Sequence, residues 1–343
     1  MKAAFITGHG GNEVVRVDDC ERPLRQPGEV LVRLQAATIN QVDLYMRNSG
    51  VGITHQLPQI MGLDGAGVVE EVDPSEKLLQ PGQKVVIHPG IVCGRCEFCL
   101  RGEGVLCTKM QLLGEHRNGT FAQWLSVPAQ NVFPMPQGLT FAEAAALGVN
   151  HLTAWRMLFT KAQLKPWETV LVFGIGGGVS LAAMQLAKQV GAKVLVTSRE
   201  DSKLQRALAM GANHGINSRN EDVVKAVMAH TGGRGVDVVI ENVGEAVWGA
   251  AMKSLVRGGR LVTCGATTGD QPPADLRRIF IRQLQILGST HGSFDEFRDL
   301  LTLVERTGLK PVIDSEFPLD QIHAALDRLE SGHQFGKVSL ALH

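Results

Sequence analysis

Residues 169–198 read TVLVFGIGGGVSLAAMQLAKQVGAKVLVTS, and the fold is decided here. TVLVF is the short, continuously apolar, β-rich run expected of a strand buried on both faces. Gly174, Gly176, Gly177 and Gly178 then form a tight turn, VSLAAMQLAKQV has the composition of a helix, Gly191 stops it, and KVLVTS is a second strand. Residues 169–187 are almost long and apolar enough to span a bilayer, but the central glycines suit strand, turn and helix instead, so no membrane association is expected.

The alternation continues outward. DSKLQRALAMG reads as a helix, VDVVIENVG as a strand, residues 246–255 as a helix, and GRLVTCG and LQILGST as two more strands. Such a pattern specifies an α/β fold with a doubly wound parallel sheet, which takes its ligand at the carboxyl ends of the strands. Residues 151–289 are therefore expected to bind a dinucleotide, with the pyrophosphate against Gly176, Gly177, Gly178 and Val179 at the helix start. The turn matches the usual GxGxxG only in part. After the second strand an NAD site places an acid on the ribose hydroxyls. Here Ser198 and Arg199 stand at the strand end with Lys203 beyond, and a guanidinium matches a 2′-phosphate. NADPH is the expected cofactor, with Glu200 on an NAD ribose as the alternative.

The first 150 residues differ. KAAFIT, EVLVRLQAATIN, GAGVVEEV and QKVVIHPG are strand-like runs between glycine and proline turns, indicating a mostly β domain. PVIDSEFPL and KVSLALH, flanking the helical QIHAALDRLESG, read as a return of residues 290–343 to that domain. Cys93, Cys96, Cys99 and Cys107 lie within residues 93–107 of the first domain, four of the six cysteines in the chain. Disulfides are disfavoured because the start, MKAAFITGHG, lacks the pattern of a secretory leader, and a reduced, cytoplasmic setting is expected. An iron–sulfur cluster also takes four thiolates, but Gly94, Arg95, Glu97, Arg101, Gly102 and Glu103 make a polar lobe. Four thiolates leave no open position on Zn²⁺, so one structural zinc is expected. Cys20 and Cys264 stand alone as inert thiols. Lys plus Arg and Asp plus Glu number 34 each, so no basic footprint points to nucleic acid.

Taken with GLDGAGVVEEV, PGQKVVIHPG, LTAW and FGKVSLAL, these motifs resemble the medium-chain dehydrogenase/reductase superfamily over essentially the whole chain. The resemblance implies a Rossmann domain plus a GroES-like catalytic domain, and the four-cysteine lobe matches the structural zinc lobe of zinc alcohol dehydrogenases. It implies further cofactor contacts at Val243, Gly265 and Lys337, with Phe335 and Gly336 beside the last. The catalytic zinc ligands of those enzymes are not matched: Asn40, Leu63 and Asn150 stand in their places, and neither leucine nor asparagine suits zinc. Asn40, Asp43, Tyr45 and Arg47 in NQVDLYMR instead resemble zinc-independent quinone oxidoreductases and enoyl reductases. Asn40, Asp43 and Tyr45 are the candidate catalytic residues: Asn40 as a hydrogen-bond donor to substrate or cofactor, Asp43 orienting neighbours, Tyr45 or solvent delivering a proton. Without a Lewis acid, an activated alkene or quinone is an easier hydride acceptor than a simple ketone. The expected function is NADPH-dependent reduction of a small-molecule quinone or α,β-unsaturated carbonyl by a homodimer or homotetramer. Rival expectations are an alcohol dehydrogenase with rearranged ligands, Asp64 with His55, His88, His116 or His151, and a non-catalytic NADPH-binding protein.

Overall fold

The computed structural model describes residues 1–51 and 56–343, and the chain divides into two compact units. One comprises Met1–Leu152 and Ser293–His343, the other Thr153–Gly292.

In the second unit six parallel strands lie in the order His214–Asn217, Lys193–Ser198, Thr169–Val172, Val236–Glu241, Leu255–Thr263 and Gln285–Gly288. The central strand starts the sequence series and the order reverses beside it, the doubly wound arrangement that opens a crevice at the strands' carboxyl ends. Val170, Leu171 and Val172 are wholly buried. Each such side chain contributes about 1.5–3 kcal/mol by leaving water. The helix after the glycine turn is Gly178–Gln189. The strand His214–Asn217 and the helix Val223–His230 add to the elements read from sequence.

The first unit is built on a seven-stranded sheet. Its path runs Val132–Pro134, Lys84–Ile87, Asp64–Glu71, Glu29–Thr38, Lys337–Ala341, Ile313–Pro318, with Trp124–Pro128 also paired to Glu29–Thr38. Lys337–Ala341 is thus an inner strand, antiparallel to Glu29–Thr38 and parallel to Ile313–Pro318. Chain end and chain start share one core, in which Val338 and Leu340 pack with Val32, Leu34 and Ala37. Two short antiparallel strands, Gly90–Ile91 and Gln111–Leu112, close the base of the cysteine lobe.

Candidate active site

The sheet of the first unit converges on a buried polar network. Asn40 precedes the helix Gln41–Asn48, and its backbone N–H donates to Asp43 Oδ2 at 2.7 Å, which fixes the helix start. The Asn40 side chain lies inward. Its Nδ2 donates to Asp64 Oδ2 at 3.0 Å and, at a longer 3.4 Å, to the carbonyl of Thr38. Its Oδ1 accepts from Lys337 Nζ at 2.5 Å and from Asn150 Nδ2 at 3.0 Å. Thr38 Oγ1 donates to Asp64 Oδ2 at 2.7 Å, and Lys337 Nζ reaches the Ile39 carbonyl at 2.8 Å and Asp64 at 3.3 Å. Lys337 and Asp64 side chains are 4% and 0% exposed, so the pair is fully dehydrated.

Burial sets the electrostatics. It pushes the Asp43 carboxyl up to about 7, with N–H donors and Lys337 opposing it, and pushes the Lys337 ammonium below its ordinary value, opposed by Asp64 and Asp43. Asp64 Oδ1 is buried with no hydrogen-bond partner among the described residues, and a Cβ on Gly148 would lie 2.7 Å from it, so only glycine fits there without a shift.

These placements revise several expectations. Asn40 has both amide hydrogens and its oxygen engaged within the network, leaving no hydrogen for a substrate oxygen. Lys337, expected at the cofactor and read as an edge residue, lies on an inner strand with its three hydrogens held by Ile39, Asn40 and Asp64. Asn150 sits in the π-helical turn Leu147–His151, 9% exposed, with one amide hydrogen on Asn40. The second hydrogen is bound by no described residue. Tyr45 is 44% exposed and its hydroxyl donates to the Val51 carbonyl. Arg47 is 2% exposed and anchored by Asn12, Asn48 and Glu330, a structural tie to the helix Ile322–Glu330.

The rearranged ligand set does not assemble. His88 packs tilted against Phe294 and edge-on to Phe297, with centroids at 4.5 and 5.6 Å, and its Nδ1 pairs with Gly90. His151 Nδ1 pairs with the Ala146 carbonyl, and His116 Nδ1 accepts from the Leu112 N–H. His55 lies outside the described residues. Among those described, the four cysteines form the one group of three or more His, Cys, Asp or Glu able to converge on an ion.

In that lobe the ligand atoms of Cys93, Cys96, Cys99 and Cys107 all lie within 4.8 Å of one another. Two separations, 4.0 Å for Cys93 to Cys99 and 3.5 Å for Cys96 to Cys99, bracket the roughly 3.8 Å edge of a tetrahedron with Zn–S of about 2.3 Å. Backbone N–H groups of Cys93 and Lys109 point at Cys107 Sγ, as a thiolate favours. The donor set fits zinc.

The second unit assembles the other expected residues at the strands' carboxyl ends. Gly174 and Gly176 have φ of +66° and +113°, which favour glycine, and a Cβ on Gly174 would lie 3.3 Å from Val243. Gly177 and Gly178 open the helix without a side-chain cap, and Val179 follows, so backbone N–H groups are left for an anion. A Cβ on Gly265 would lie 3.1 Å from the Asn242 carbonyl. Glu241 accepts from the N–H groups of Val243 and Gly244 and holds that loop in place. Close backbone approach at all three segments fits a dinucleotide. Ser198 is buried and accepts from the Glu200 N–H, Arg199 is exposed, and Lys203 pairs with Glu200 at 3.0 Å.

Known proteins agree with this architecture. The family described as Alcohol dehydrogenase GroES-like domain matches residues 26–137, and Zinc-binding dehydrogenase matches residues 178–306. A zinc-type alcohol dehydrogenase-like protein of Schizosaccharomyces pombe is 34% identical over 340 residues, 97% of this chain and 96% of its own. The chain belongs to the medium-chain dehydrogenase/reductase superfamily. Within it, a quinone oxidoreductase of Rattus norvegicus is 29% identical over 348 residues, covering 100% of this chain and 98% of its own. A crystal structure of an NAD-dependent alcohol dehydrogenase superposes with a TM-score of 0.97 at 41% identity, covering 100% of both chains. The chain is thus an oxidoreductase of this superfamily, with a Rossmann-like parallel-sheet domain and a GroES-like domain. No described helix is long and apolar enough to cross a membrane.

Proposed function

We propose that this oxidoreductase uses NADPH to reduce a quinone or an α,β-unsaturated carbonyl, that it does so without a catalytic zinc, and that Cys93, Cys96, Cys99 and Cys107 hold one structural zinc. One observation carries the reading: Asn40 and Asn150, with Asp64 next to Leu63, are cross-linked to one another and to the Lys337 ammonium. A charge-balanced, hydrogen-bonded cluster fills the place where the resemblance puts metal ligands. The dinucleotide, when bound against Gly176 to Val179 with Ser198, Arg199 and Lys203 at its phosphate, supplies the hydride. The chain's own residues hold the charge that then develops on the substrate oxygen. Asn150 has the free amide hydrogen for this, and Asn40, itself locked by Lys337 and Asp64, fixes its direction. The Tyr45 hydroxyl, committed to Val51, leaves solvent as the proton source. A cytoplasmic homodimer or homotetramer is part of the reading, and the parallel sheet has two edge strands, His214–Asn217 and Gln285–Gly288, available for pairing across a two-fold axis.

A second reading is an NAD-dependent alcohol dehydrogenase, favoured by the 41%-identical structure and by Glu200 at the second strand's end. Metal counting with substrate profiling separates the two. One zinc per chain and stopped-flow oxidation of NADPH by quinones or enones support the proposal; two zincs with alcohol oxidation by NAD⁺ overturn it.

A further inference from the structure

At the amino ends of the same parallel strands, opposite the glycine turn, lies a second cleft of about 690 Å³. The four-residue central strand Thr169–Val172 puts it roughly 13 Å from the dinucleotide end. Four arginines line it, Arg234, Arg257, Arg260 and Arg282, against two acids, Glu168 and Asp237. Both acids are already used. Asp237 takes a bidentate contact from Arg234 at 2.7 and 2.9 Å and the Thr169 N–H at 2.9 Å, and Glu168 pairs with Arg260 and accepts from the Lys165 N–H. The other two arginines meet no carboxylate among the described residues. Arg257 donates to the Ile281 carbonyl at 3.0 Å, and Arg282 donates to the Leu255 carbonyl at 3.2 Å. Each guanidinium is thus tethered by one hydrogen to the segment that carries the other, with its remaining hydrogens available. Arg260 Nε is buried without a hydrogen-bond partner among the described residues. Gly233 and Gly258, at φ of +82° and +73°, face open space on the rim, where a side chain would narrow the entrance.

We propose that this cleft binds a small phosphate-bearing dianion, with Arg257 and Arg282 as its principal ligands. Two uncompensated guanidiniums match the charge of a phosphate dianion, and their planar forks match its oxygens. Partial exposure makes the site weak and dependent on ionic strength.

The test is calorimetric titration of the full-length protein with inorganic phosphate at pH 8 and low ionic strength, in the presence of saturating NADP⁺ to block the dinucleotide site. Saturable one-to-one binding is expected, weakened at least tenfold in Arg257→Gln/Arg282→Gln and by severalfold in Arg257→Gln alone. The single variant removes an exposed side chain and preserves the fold should the double variant unfold, and NADPH affinity stays unchanged in it. Equal binding in wild type and Arg257→Gln, binding abolished by NADP⁺, binding only of long polyanions, or no binding to wild type would each overturn the assignment.

Discussion

Lys337→Met tests the network directly. Methionine keeps an unbranched stem but deletes an ammonium that holds Asp64, Asn40 and the Ile39 carbonyl. Asp64 retains Thr38 and Asn40 on Oδ2, yet its Oδ1 has no hydrogen-bond partner among the described residues, so the carboxylate is left buried and uncompensated. Breaking a buried pair in this way costs about 3–5 kcal/mol. For a unit of about 200 residues, at about 2–4 °C per kcal/mol, a loss of about 4 kcal/mol lowers Tm by roughly 8–16 °C near pH 7.5. Two controls make the reasoning specific. Asp64→Asn in the Lys337→Met background removes the orphaned charge and recovers more than half of the loss in urea titrations. The deficit also narrows on acidification, because loss of the ammonium removes an influence that lowers the Asp43 pKa, and the folded state then binds a proton that the unfolded state does not. A Lys337→Met protein within about 1 kcal/mol of wild type, or no recovery on adding Asp64→Asn, refutes the account.

Three further outcomes are expected. The Asp43 carboxyl lies at about 7 when folded against an ordinary 3.8, so the stability it contributes is full below pH 3.8 and is lost as pH rises through 7; Asp43→Asn flattens that limb, worth at most about 4 kcal/mol, in stability measured from pH 4 to 8. Cys99→Ser lowers zinc content, read by mass spectrometry of the purified protein, from one equivalent toward none and lowers Tm; unchanged zinc would place the ion elsewhere. Arg199→Ala raises KM for NADPH by about 10- to 100-fold with little change for NADH, as loss of a charge-assisted phosphate contact requires; equal effects on both cofactors would remove Arg199 from the phosphate.

The inner strands of the parallel sheet, Thr169–Val172, Lys193–Ser198 and Val236–Glu241, were legible because they bury both faces and so read as largely apolar runs, whereas the edge strand His214–Asn217, only half-buried and with a polar composition, was not. The four cysteines were legible from spacing alone, since their lobe is a local structure. The polar network was not. Lys337 and Asn40 are 297 residues apart in sequence and meet only because Lys337–Ala341 inserts beside Glu29–Thr38. A signal was present in a single acid amid the small and apolar residues of GLDGAG and a single lysine opening the apolar KVSLAL, two charges that burial obliges to find partners. The inward aim of the Asn40 side chain was hidden for the same reason: beyond the neighbouring Thr38 carbonyl, its hydrogen-bonding positions are spent on Asp64, Asn150 and Lys337, brought from distant segments.

The closed circuit among Thr38, Asn40, Asp64, Asn150 and Lys337 also constrains how this lineage can change. Installing a divalent ion there would need new donors at several positions and the eviction of the resident ammonium, and each single step strands a dehydrated polar group at a cost of about 1–3 kcal/mol. The cluster is thereby resistant to change one substitution at a time.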